Sequence, residues 1–387
     1  MPMKFPVYLD NMRATKVDPL VIEEMVKYMQ EIYAAPGGEF GHSMEEEAAE
    51  ALEKARQKIA RKIGAKPEEI VFTSGRVESN NLAIKGTVLA SGKKGKVISS
   101  RIEESSVLRS LESLGKMGFN PMLAPVDSEG FVKQENLSEM LSGAILGSIQ
   151  FVNPEIGTIQ DLKAIGDLFE EKNVIFHSDA SWGFCKVDID VRKINVDLLT
   201  LSSGLIHGPK GVGALYVREG IKLQPLFDGA PREFGLRPGM EDVPSIVGFA
   251  KAVELITEED IARMKRLRDK LMDILLEIPD TKLNGPKGDR RVCNNVNVSF
   301  FGVEGETILL KASMKNLFLN TGSACYSREL LPSHVILATG GSFEQSHGSV
   351  TLGLSKWTTE QEIFYAKEVL EEIVREMRSI SPLYRRS

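Results

Sequence analysis

The feature of this sequence that most constrains its fold is the alternation of short apolar runs with segments of helical periodicity between residues 69 and 202. Runs such as KVISS, AILGSIQFVN, VIFHSDA and VDLLTLSS end in small or polar residues, and the segments between them space apolar residues three or four apart. This alternation is typical of βαβ units. Strands that are apolar along their whole length indicate a mostly parallel sheet buried on both faces. The sequence therefore predicts an α/β protein.

The length of the chain indicates more than one domain. A single core stops growing at roughly 250–300 residues, and this chain has 387 residues, of which 42% are hydrophobic. After residue 256 the pattern changes to a long charged helix, further strands and a closing amphipathic helix. We therefore expect a large α/β domain over residues 14–256 and a smaller α/β domain formed by residues 1–13 and 257–387.

Two helices are predicted near the N-terminus. The first covers residues 19–33 and is expected to pack with the smaller domain. The second follows Ser43, and Glu46 three positions later completes the pattern of a capping box.

Composition excludes several classes of function. The net charge is -6 with acidic and basic residues mixed along the chain, so we expect no nucleic-acid partner. We find neither a signal peptide nor an apolar segment long enough to span a bilayer, and we expect a cytoplasmic protein with no membrane partner. The three cysteines, Cys185, Cys293 and Cys325, lack the spacing of a disulfide framework or a zinc site.

Loops that follow the predicted strands are the expected place for a site, because ligands of parallel sheets bind beyond the carboxyl ends of the strands. The segments that end there include TSGRVESNN, SRIEESS, FVNPEIGTIQD, HSDASWG and LSSGLIHGPKG. Backbone N–H groups from Ser74 and Gly75 to Glu78, at a helix start, are able to hold a phosphate. An SG turn before a helix is a weak signal by itself, and an ordinary turn is the simpler interpretation.

Motifs along almost the whole chain resemble those of one family. They are YLDN, FTSG with ESNNLAI, EIGTIQ, HSDA, GPKGVGALYV, LRPG with EDVPSIVGFAKA, TGSAC, LLPSHV and HGS. Together they resemble the cysteine desulfurases, class V aminotransferases that depend on pyridoxal phosphate (PLP). The resemblance implies the aspartate-aminotransferase (PLP-transferase-like) fold, with a mainly parallel seven-stranded sheet in the large domain and a smaller α/β domain. It also implies a homodimer that supplies sulfur for iron–sulfur clusters and tRNA thiolation.

The same resemblance implies that the PLP site is degenerate. The family's Schiff-base lysine ends a Ser-x-His-Lys sequence, and this chain has Ser202, Ser203, Gly204 and Leu205 there. Leucine offers no amine to condense with the cofactor aldehyde. Other family residues are replaced as well. The phosphate threonine and the glycine before it are Val77 and Arg76, the ring-stacking histidine is Glu104, the asparagine and glutamine near the ring are Pro154 and Trp182, the threonine from the second subunit is Met240, and the substrate-carboxylate arginine is Thr351.

Some residues of the family site are retained, and their interpretation stays open. Asp179 would pair with the pyridine nitrogen, but without partners it is better explained as a capping or hydrogen-bonding residue. Arg76 either binds an anion or fills the pocket by pairing with Glu104 or Asp179. Trp182 and Leu205 are most simply pocket fillers.

Cys325, in TGSACYSRELL, matches the cysteine that carries the persulfide in the family. A thiolate there is able to accept sulfur or ligate iron, and Cys325 is the only metal-ligand candidate. Cys185 and Cys293 sit in apolar stretches and are predicted to be buried.

Three functional hypotheses follow. The first is a desulfurase homologue that cannot use PLP and handles sulfur or a cluster through Cys325, with an iron–sulfur scaffold or sulfur-acceptor protein as partner. The second is a working cysteine desulfurase that binds PLP non-covalently or acts with an active paralogue. The third is a remodelled pocket with a new ligand. We favour the first, and so expect no resident PLP, with an iron–sulfur cluster as a candidate ligand.

Overall fold

The computed structural model describes residues 5–37, 41–322, 332–381 and 384. The strands within these ranges are β1 Val7–Tyr8, β2 Ile70–Thr73, β3 Lys96–Ser100, β4 Asn120–Ala124, β5 Ala144–Ser148, β6 Ile175–Asp179, β7 Leu198–Ser202, β8 Gly213–Val217, β9 Thr281–Leu283, β10 Asn295–Phe300, β11 Leu317–Phe318 and β12 Ser349–Gly353. The α-helices are α1 Pro19–Gln30, α2 Ser43–Ile63, α3 Arg76–Asn81, α4 Thr87–Ala90, α5 Ser105–Lys116, α6 Gln134–Leu141, α7 Leu162–Glu171, α8 Val243–Glu254, α9 Glu258–Leu276, α10 Gly305–Met314, α11 His334–Ala338, α12 Phe343–His347 and α13 Glu360–Ile380.

The central sheet has seven strands in the order β2-β8-β7-β6-β5-β3-β4. Strand β8 runs antiparallel to both of its neighbours, β2 and β7. The other neighbouring pairs are parallel. This arrangement confirms the predicted α/β fold with a mainly parallel seven-stranded sheet.

Both faces of this sheet are buried, as the apolar runs predicted. Successive residues of a strand enter different apolar clusters: Val97 packs in the cluster on one face and Ile98 in the cluster on the other. Val71 and Phe72 of β2 divide in the same way. Since side chains of a strand alternate between its two faces, a strand that is apolar at every position must be covered on both sides.

A separate core surrounds the two smaller sheets. Strands β12, β10 and β9 form an antiparallel sheet, and β1 pairs in parallel with β11. Their core joins Val298 of β10 to Leu271 of α9 and Leu370 of α13. The N-terminal strand therefore joins the C-terminal part of the chain. The domain boundary predicted at residue 256 stays a prediction.

The predicted packing of the N-terminal helix is wrong. Helix α1 lies on α8 and buries Val21 in the core of the large sheet, where Met25 also packs. Gly248 of α8 makes this approach feasible, since a Cβ atom there would lie 2.7 Å from the Met25 Cγ. The close contact of the two helices depends on the missing side chain.

The predicted capping box of the second helix is displaced by one residue. His42 is the N-cap of α2, and its Nδ1 accepts a hydrogen bond from the Glu45 N–H at 3.4 Å. The Glu45 carboxylate accepts from the His42 N–H at 3.3 Å. Ser43 is the first helical residue instead of the cap.

The carboxyl ends of β2, β3, β5, β6 and β7 meet at one edge of the central sheet, because these strands all run in the same direction. The loops after these strands carry most of the predicted site residues. In the described part of the chain, none of the helices combines the length and the apolar character needed to cross a membrane.

Candidate functional site

Two cavities lie at this edge of the sheet. The larger, of about 350 Å³, is called the Glu155 cavity, and it is lined by Met12, Arg13, Arg76, Ile102, Glu103, Glu104, Ser105, Pro154, Glu155, Trp182, Asn320, Gly322, His334, Val335 and Thr351. The smaller, of about 240 Å³, is called the Leu205 cavity, and it is lined by Arg13, Ala14, Ser74, Gly75, Arg76, Val77, Glu78, Ser202, Gly204, Leu205, Lys210, Gly211 and Val212. Arg76 lines both cavities and lies where they meet.

Arg76 is fixed in this place by an aromatic ring and a carboxylate. Its guanidinium carbon lies 4.3 Å from the centre of the Trp182 ring, which is a cation–π contact. Its NH2 group lies 3.4 Å from the Glu104 Oε1 atom. Of the two roles left open by the sequence, this geometry favours the pairing role for Arg76, with Glu104 as its partner.

Glu104 is held as firmly as its partner. Its carboxylate caps α5 by accepting from the Ser106 N–H at 2.7 Å, and it also accepts from the hydroxyls of Ser105 and Ser106. Burial alone would raise the pKa of Glu104, but Arg76 and these hydrogen bonds more than offset it, and the pKa is lowered. The carboxylate is therefore ionised at neutral pH.

Trp182 closes the site from the other side. It is buried, and its indole Nε1 donates a hydrogen bond to the Met12 carbonyl oxygen at 2.8 Å. Because the ring is anchored at its polar atom, it presents a fixed face to Arg76. This position agrees with the filler role predicted for Trp182.

Asp179 ends β6, is buried, and interacts electrostatically with Arg76. Its Oδ2 accepts from the Asn80 side chain at 2.8 Å, and its Oδ1 accepts from the Ser181 N–H at 3.0 Å. Burial raises the pKa of Asp179, while Arg76, Asn80 and Ser181 partly counteract this effect. The carboxylate thus has local partners, as its predicted structural role requires.

His177, two residues earlier in β6, bridges the neighbouring strands. One ring nitrogen lies 2.8 Å from the Ser148 hydroxyl and the other 3.0 Å from the Thr200 hydroxyl. Burial lowers its pKa to about 3. The imidazole is neutral at physiological pH and acts as a hydrogen-bonding link in the sheet.

Leu205 lies in the floor of the Leu205 cavity, with only 3% of its surface exposed. Ser202 and Gly204 line the same cavity. Lys210 also reaches it, and its ammonium group donates to the Thr15 carbonyl oxygen at 3.2 Å. The residue at the Schiff-base position is therefore part of the apolar core, and the nearby lysine is hydrogen-bonded to the backbone.

The far end of the Glu155 cavity brings together Pro154 and Thr351 with residues that the sequence did not single out. Thr351 accepts a hydrogen bond from the Asn297 side chain at 2.7 Å. Glu155 and Asn320 lie beside it, and each presents a buried side-chain oxygen without a hydrogen-bond partner in the described structure. The EIGT and TGSAC motifs marked the two chain segments, but neither motif indicates an unpaired oxygen.

Among the described site residues, Asp179 and Met240 line neither cavity. Met240 is 70% exposed. Cys325 lies outside the described residues. The other two cysteines are buried as predicted, and burial raises the thiol pKa to about 12 for Cys185 and about 11 for Cys293. Over the ranges that the structure describes, no cluster of three or more His, Cys, Asp or Glu side chains is placed to hold a metal ion.

Comparison with known proteins gives a consistent result. The family model for aminotransferase class V matches residues 7–364. The chain is 43% identical to the cysteine desulfurase IscS of Clostridium botulinum, with 99% of this chain and 98% of the relative covered.

Two solved structures extend the likeness to three dimensions. A NifS-like protein superposes with a TM-score of 0.89 at 34% identity, covering 96% of this chain and 100% of the other. SspA in complex with cysteine superposes with a TM-score of 0.81 at 34% identity, covering 91% of this chain and 99% of the other.

Proposed function

Because the chain belongs to the aminotransferase class V family and resembles cysteine desulfurases over its whole length, we propose that it works in sulfur or iron–sulfur cluster metabolism without using PLP. In this proposal it handles sulfur or a cluster through Cys325, in the cytoplasm, as a partner of an iron–sulfur scaffold or sulfur-acceptor protein. The observation that carries the proposal is Leu205, a core residue with 3% exposure where the family has its Schiff-base lysine.

The arrangement around Leu205 supports a site without PLP. Arg76 interacts with the carboxylates of both Glu104 and Asp179 and stacks on Trp182. Displacing it would leave partly buried carboxylates without their cation, and an unpaired buried charge is strongly destabilising. The residues present therefore do not fit PLP bound in the family's manner.

Cys325 supplies the chemistry of the proposed role. Its thiolate would attack the outer sulfur of a donor's cysteine persulfide, which forms the Cys325 persulfide and releases the donor's thiolate. Cys185 and Cys293 are unsuited to this step because burial raises the pKa of both thiols and the thiolate is the reactive form.

Incubation with PLP tests the first half of the proposal. We expect the purified protein to develop no aldimine absorbance, and borohydride reduction followed by peptide mass spectrometry to find no pyridoxyl-lysine. A cysteine desulfurase treated in parallel provides the positive control. A pyridoxyl group on Lys210 or another lysine would overturn this half of the proposal.

Sulfur transfer tests the second half. A PLP-loaded cysteine desulfurase with L-cysteine serves as the donor of persulfide sulfur, and labelling of this chain is read by mass spectrometry. We expect persulfide on Cys325, its loss in Cys325→Ser, and unchanged labelling in Cys293→Ala. Faster alkylation of Cys325 than of Cys185 or Cys293 is expected as well. Equal labelling of wild type and Cys325→Ser would exclude this role.

A second candidate function is a cysteine desulfurase that binds PLP non-covalently or acts with an active paralogue. Asp179 favours it, because the carboxylate stands buried at the end of β6 and keeps two hydrogen bonds. Retention of PLP absorbance after gel filtration, with no lysine adduct in the mass spectrum, would favour this function over the first.

We also propose a homodimer. Exposed apolar side chains on residues 227–240, namely Phe227, Phe234 and Met240, lie in a segment tied to α3 by the Arg237–Glu78 ion pair of 3.3 Å. Val77 on α3 is exposed too. An apolar surface of this kind favours association. Light scattering is expected to give twice the mass of the chain, and Met240→Glu to weaken the dimer.

A further inference from the structure

The Glu155 cavity contains two buried oxygens that lack hydrogen-bond partners. They are the Glu155 Oε1 and the Asn320 Oδ1, and neither is bonded to any other group in the described residues. Both residues line the cavity, and Asn320 is only 8% exposed. Buried polar atoms are nearly always hydrogen-bonded. The Arg76 Nε on the same cavity is unpaired as well, but its guanidinium already has the Glu104 carboxylate as a partner, whereas the two oxygens lack a donor.

The backbone holds both residues where they are. Asn320 pairs with Thr351 through two backbone hydrogen bonds, of 3.1 Å and 2.7 Å. The N–H of Glu155 donates to the Asn153 side chain at 2.9 Å. Gly322 leaves room for the carboxylate, because a Cβ atom there would lie 2.3 Å from the Glu155 Oε1.

The chemistry of the two atoms is the same. A carboxylate oxygen and an amide oxygen both accept hydrogen bonds and cannot donate them. The neighbouring Thr351 hydroxyl already accepts from Asn297, while the Arg76 and Glu104 charges compensate each other at the opposite end. Arg13 also lines the cavity, but burial and the Ser333 hydrogen bond are the influences on the Glu155 carboxyl, so no cation of the described residues is paired with it when it ionises.

We propose that the Glu155 cavity binds a small organic cation, whose ammonium or guanidinium N–H groups donate to Glu155 and Asn320. The ligand is bound non-covalently, and the site requires no PLP. A volume of about 350 Å³ admits a small molecule. Hydrogen bonds to charged groups are the strong ones, which gives the carboxylate the larger share of the affinity.

Binding should depend on pH through Glu155. Burial raises the pKa of this carboxyl to about 7, and the hydrogen bond from Ser333 lowers it in part. Other charged or titratable groups facing the cavity are Arg13, Arg76, Glu103, Glu104 and His334. Alkylammonium and guanidinium probes keep their charge in this range, so affinity should rise as the pH passes from 6 to 8, roughly one unit on either side of the Glu155 pKa.

The test is a titration of the full chain with n-propylammonium, monitored by NMR, with propan-1-ol and propionate as neutral and anionic controls of similar size. Guanidinium is the second cationic probe. We expect dissociation constants in roughly the millimolar range for such small probes, and binding of both cations at least about tenfold tighter than of the two controls. Equal binding of propylammonium and propan-1-ol would overturn the proposal.

Two variants locate the site. Glu155→Gln keeps the shape of the side chain and is expected to weaken propylammonium binding about tenfold and to remove its pH dependence. Asn320→Asp adds a charge without adding volume and should tighten binding, which keeps the test decisive if the first variant is unstable. Glu139→Gln, an exposed carboxylate on α6, makes the same change of charge elsewhere. Binding unaffected by both cavity variants, or lost equally in Glu139→Gln, would contradict this site.

Discussion

The two ends of the Glu155 cavity differ in how their polar groups are partnered. At one end Arg76 stacks on Trp182 and lies 3.4 Å from Glu104, whose carboxylate also caps α5. At the other end Glu155 and Asn320 each keep a buried oxygen with no partner in the parts of the chain described here. At the first end, called the Arg76 end, the charges of Arg76 and Glu104 pair, although the Arg76 Nε atom also lacks a hydrogen-bond partner. At the second, called the Glu155 end, burial and Ser333 act on the carboxyl, and no cation among the described residues does.

This difference bears on whether the former PLP pocket has only been filled or has been altered to bind another ligand. Each unpaired buried group costs about 1–3 kcal/mol, and such groups occur at both ends, since the Arg76 Nε is one of them. Here the filling is confined to the region around Arg76 and Trp182. The unpaired Glu155 and Asn320 oxygens in the remaining volume are the basis of the cation site proposed above.

The largest effect on stability is expected at the Arg76 end. Glu104→Ala removes the cap of α5 and leaves Arg76 without its nearest carboxylate, and we expect the free energy of unfolding to fall by about 2–3 kcal/mol. Chemical denaturation of the two proteins measures this loss. Glu112→Ala on the same helix removes an exposed, ion-paired carboxylate and should leave the free energy of unfolding almost unchanged. Equal effects of the two substitutions would show that the Arg76 end is not held by Glu104.

At the Glu155 end the expected effect on stability depends on pH. The folded-state pKa of Glu155 is raised to about 7 from 4.5, so the folded protein keeps a proton that the unfolded chain releases. Stability from this group is full below pH 4.5 and is lost as the pH rises through 7. Glu155→Gln should abolish that loss and be more stable than wild type at pH 8 by up to about 3 kcal/mol, with little gain at pH 4.5.

The stabilities of wild type and Glu155→Gln must be compared over the whole pH range, because other buried groups titrate too. Glu103, with its pKa raised to about 8 by burial, changes stability in the same direction as Glu155. His177, whose pKa burial lowers to about 3, acts in the opposite direction, since its contribution is lost as the pH falls below 6.5. Both are common to wild type and Glu155→Gln and cancel in the difference. A difference that does not change between pH 4.5 and 8 would contradict the assignment.

The fold was predictable because it depends on patterns that the sequence carries directly. Apolar residues at every strand position specify a sheet covered on both faces, and the long charged helix predicted after residue 256 is α9, Glu258–Leu276. The errors arose where a contact is not local. Helix α1 packs on α8 because Gly248 admits Met25, two residues far apart in the sequence. His42 caps α2 because an imidazole nitrogen can replace the serine oxygen of the usual pattern.

The site was predictable only in part for a similar reason. Leu205, Val77 and Thr351 could be recognised as replacements by comparing motifs. Whether Arg76 would bind an anion or pair with a carboxylate depends on distances to α5 and Trp182, which no motif contains. Glu155 and Asn320 were missed because their importance lies in an absent hydrogen bond, a property of the packed structure.

A smaller effect is expected from the ring that supports Arg76. Trp182→Phe keeps an aromatic face but removes the 2.8 Å hydrogen bond from Nε1 to the Met12 carbonyl oxygen. We expect a loss of about 1 kcal/mol in stability by thermal or chemical denaturation. Binding of propylammonium at the Glu155 end should stay within about twofold of wild type, since that end does not depend on the indole. A loss of cation binding as large as that of Glu155→Gln would show that the two ends are not independent.

The smallest effect is expected from restoring the lysine alone. Leu205→Lys supplies an amine at the Schiff-base position, yet we expect no sulfide release from L-cysteine above the wild-type level. Catalysis needs interactions that favour the transition state, and the resemblance to the desulfurases implies that a histidine at Gly204, a ring-stacking histidine at Glu104 and an arginine at Thr351 are missing as well. Arg76 would still pair with Glu104 and interact with Asp179. Sulfide assays with added PLP measure the outcome, circular dichroism establishes that the variant is folded, and a cysteine desulfurase at equal concentration calibrates the rate. Sulfide release comparable to that enzyme would mean that the Arg76 end still accepts PLP, and the contrast between the two ends of the cavity would fail.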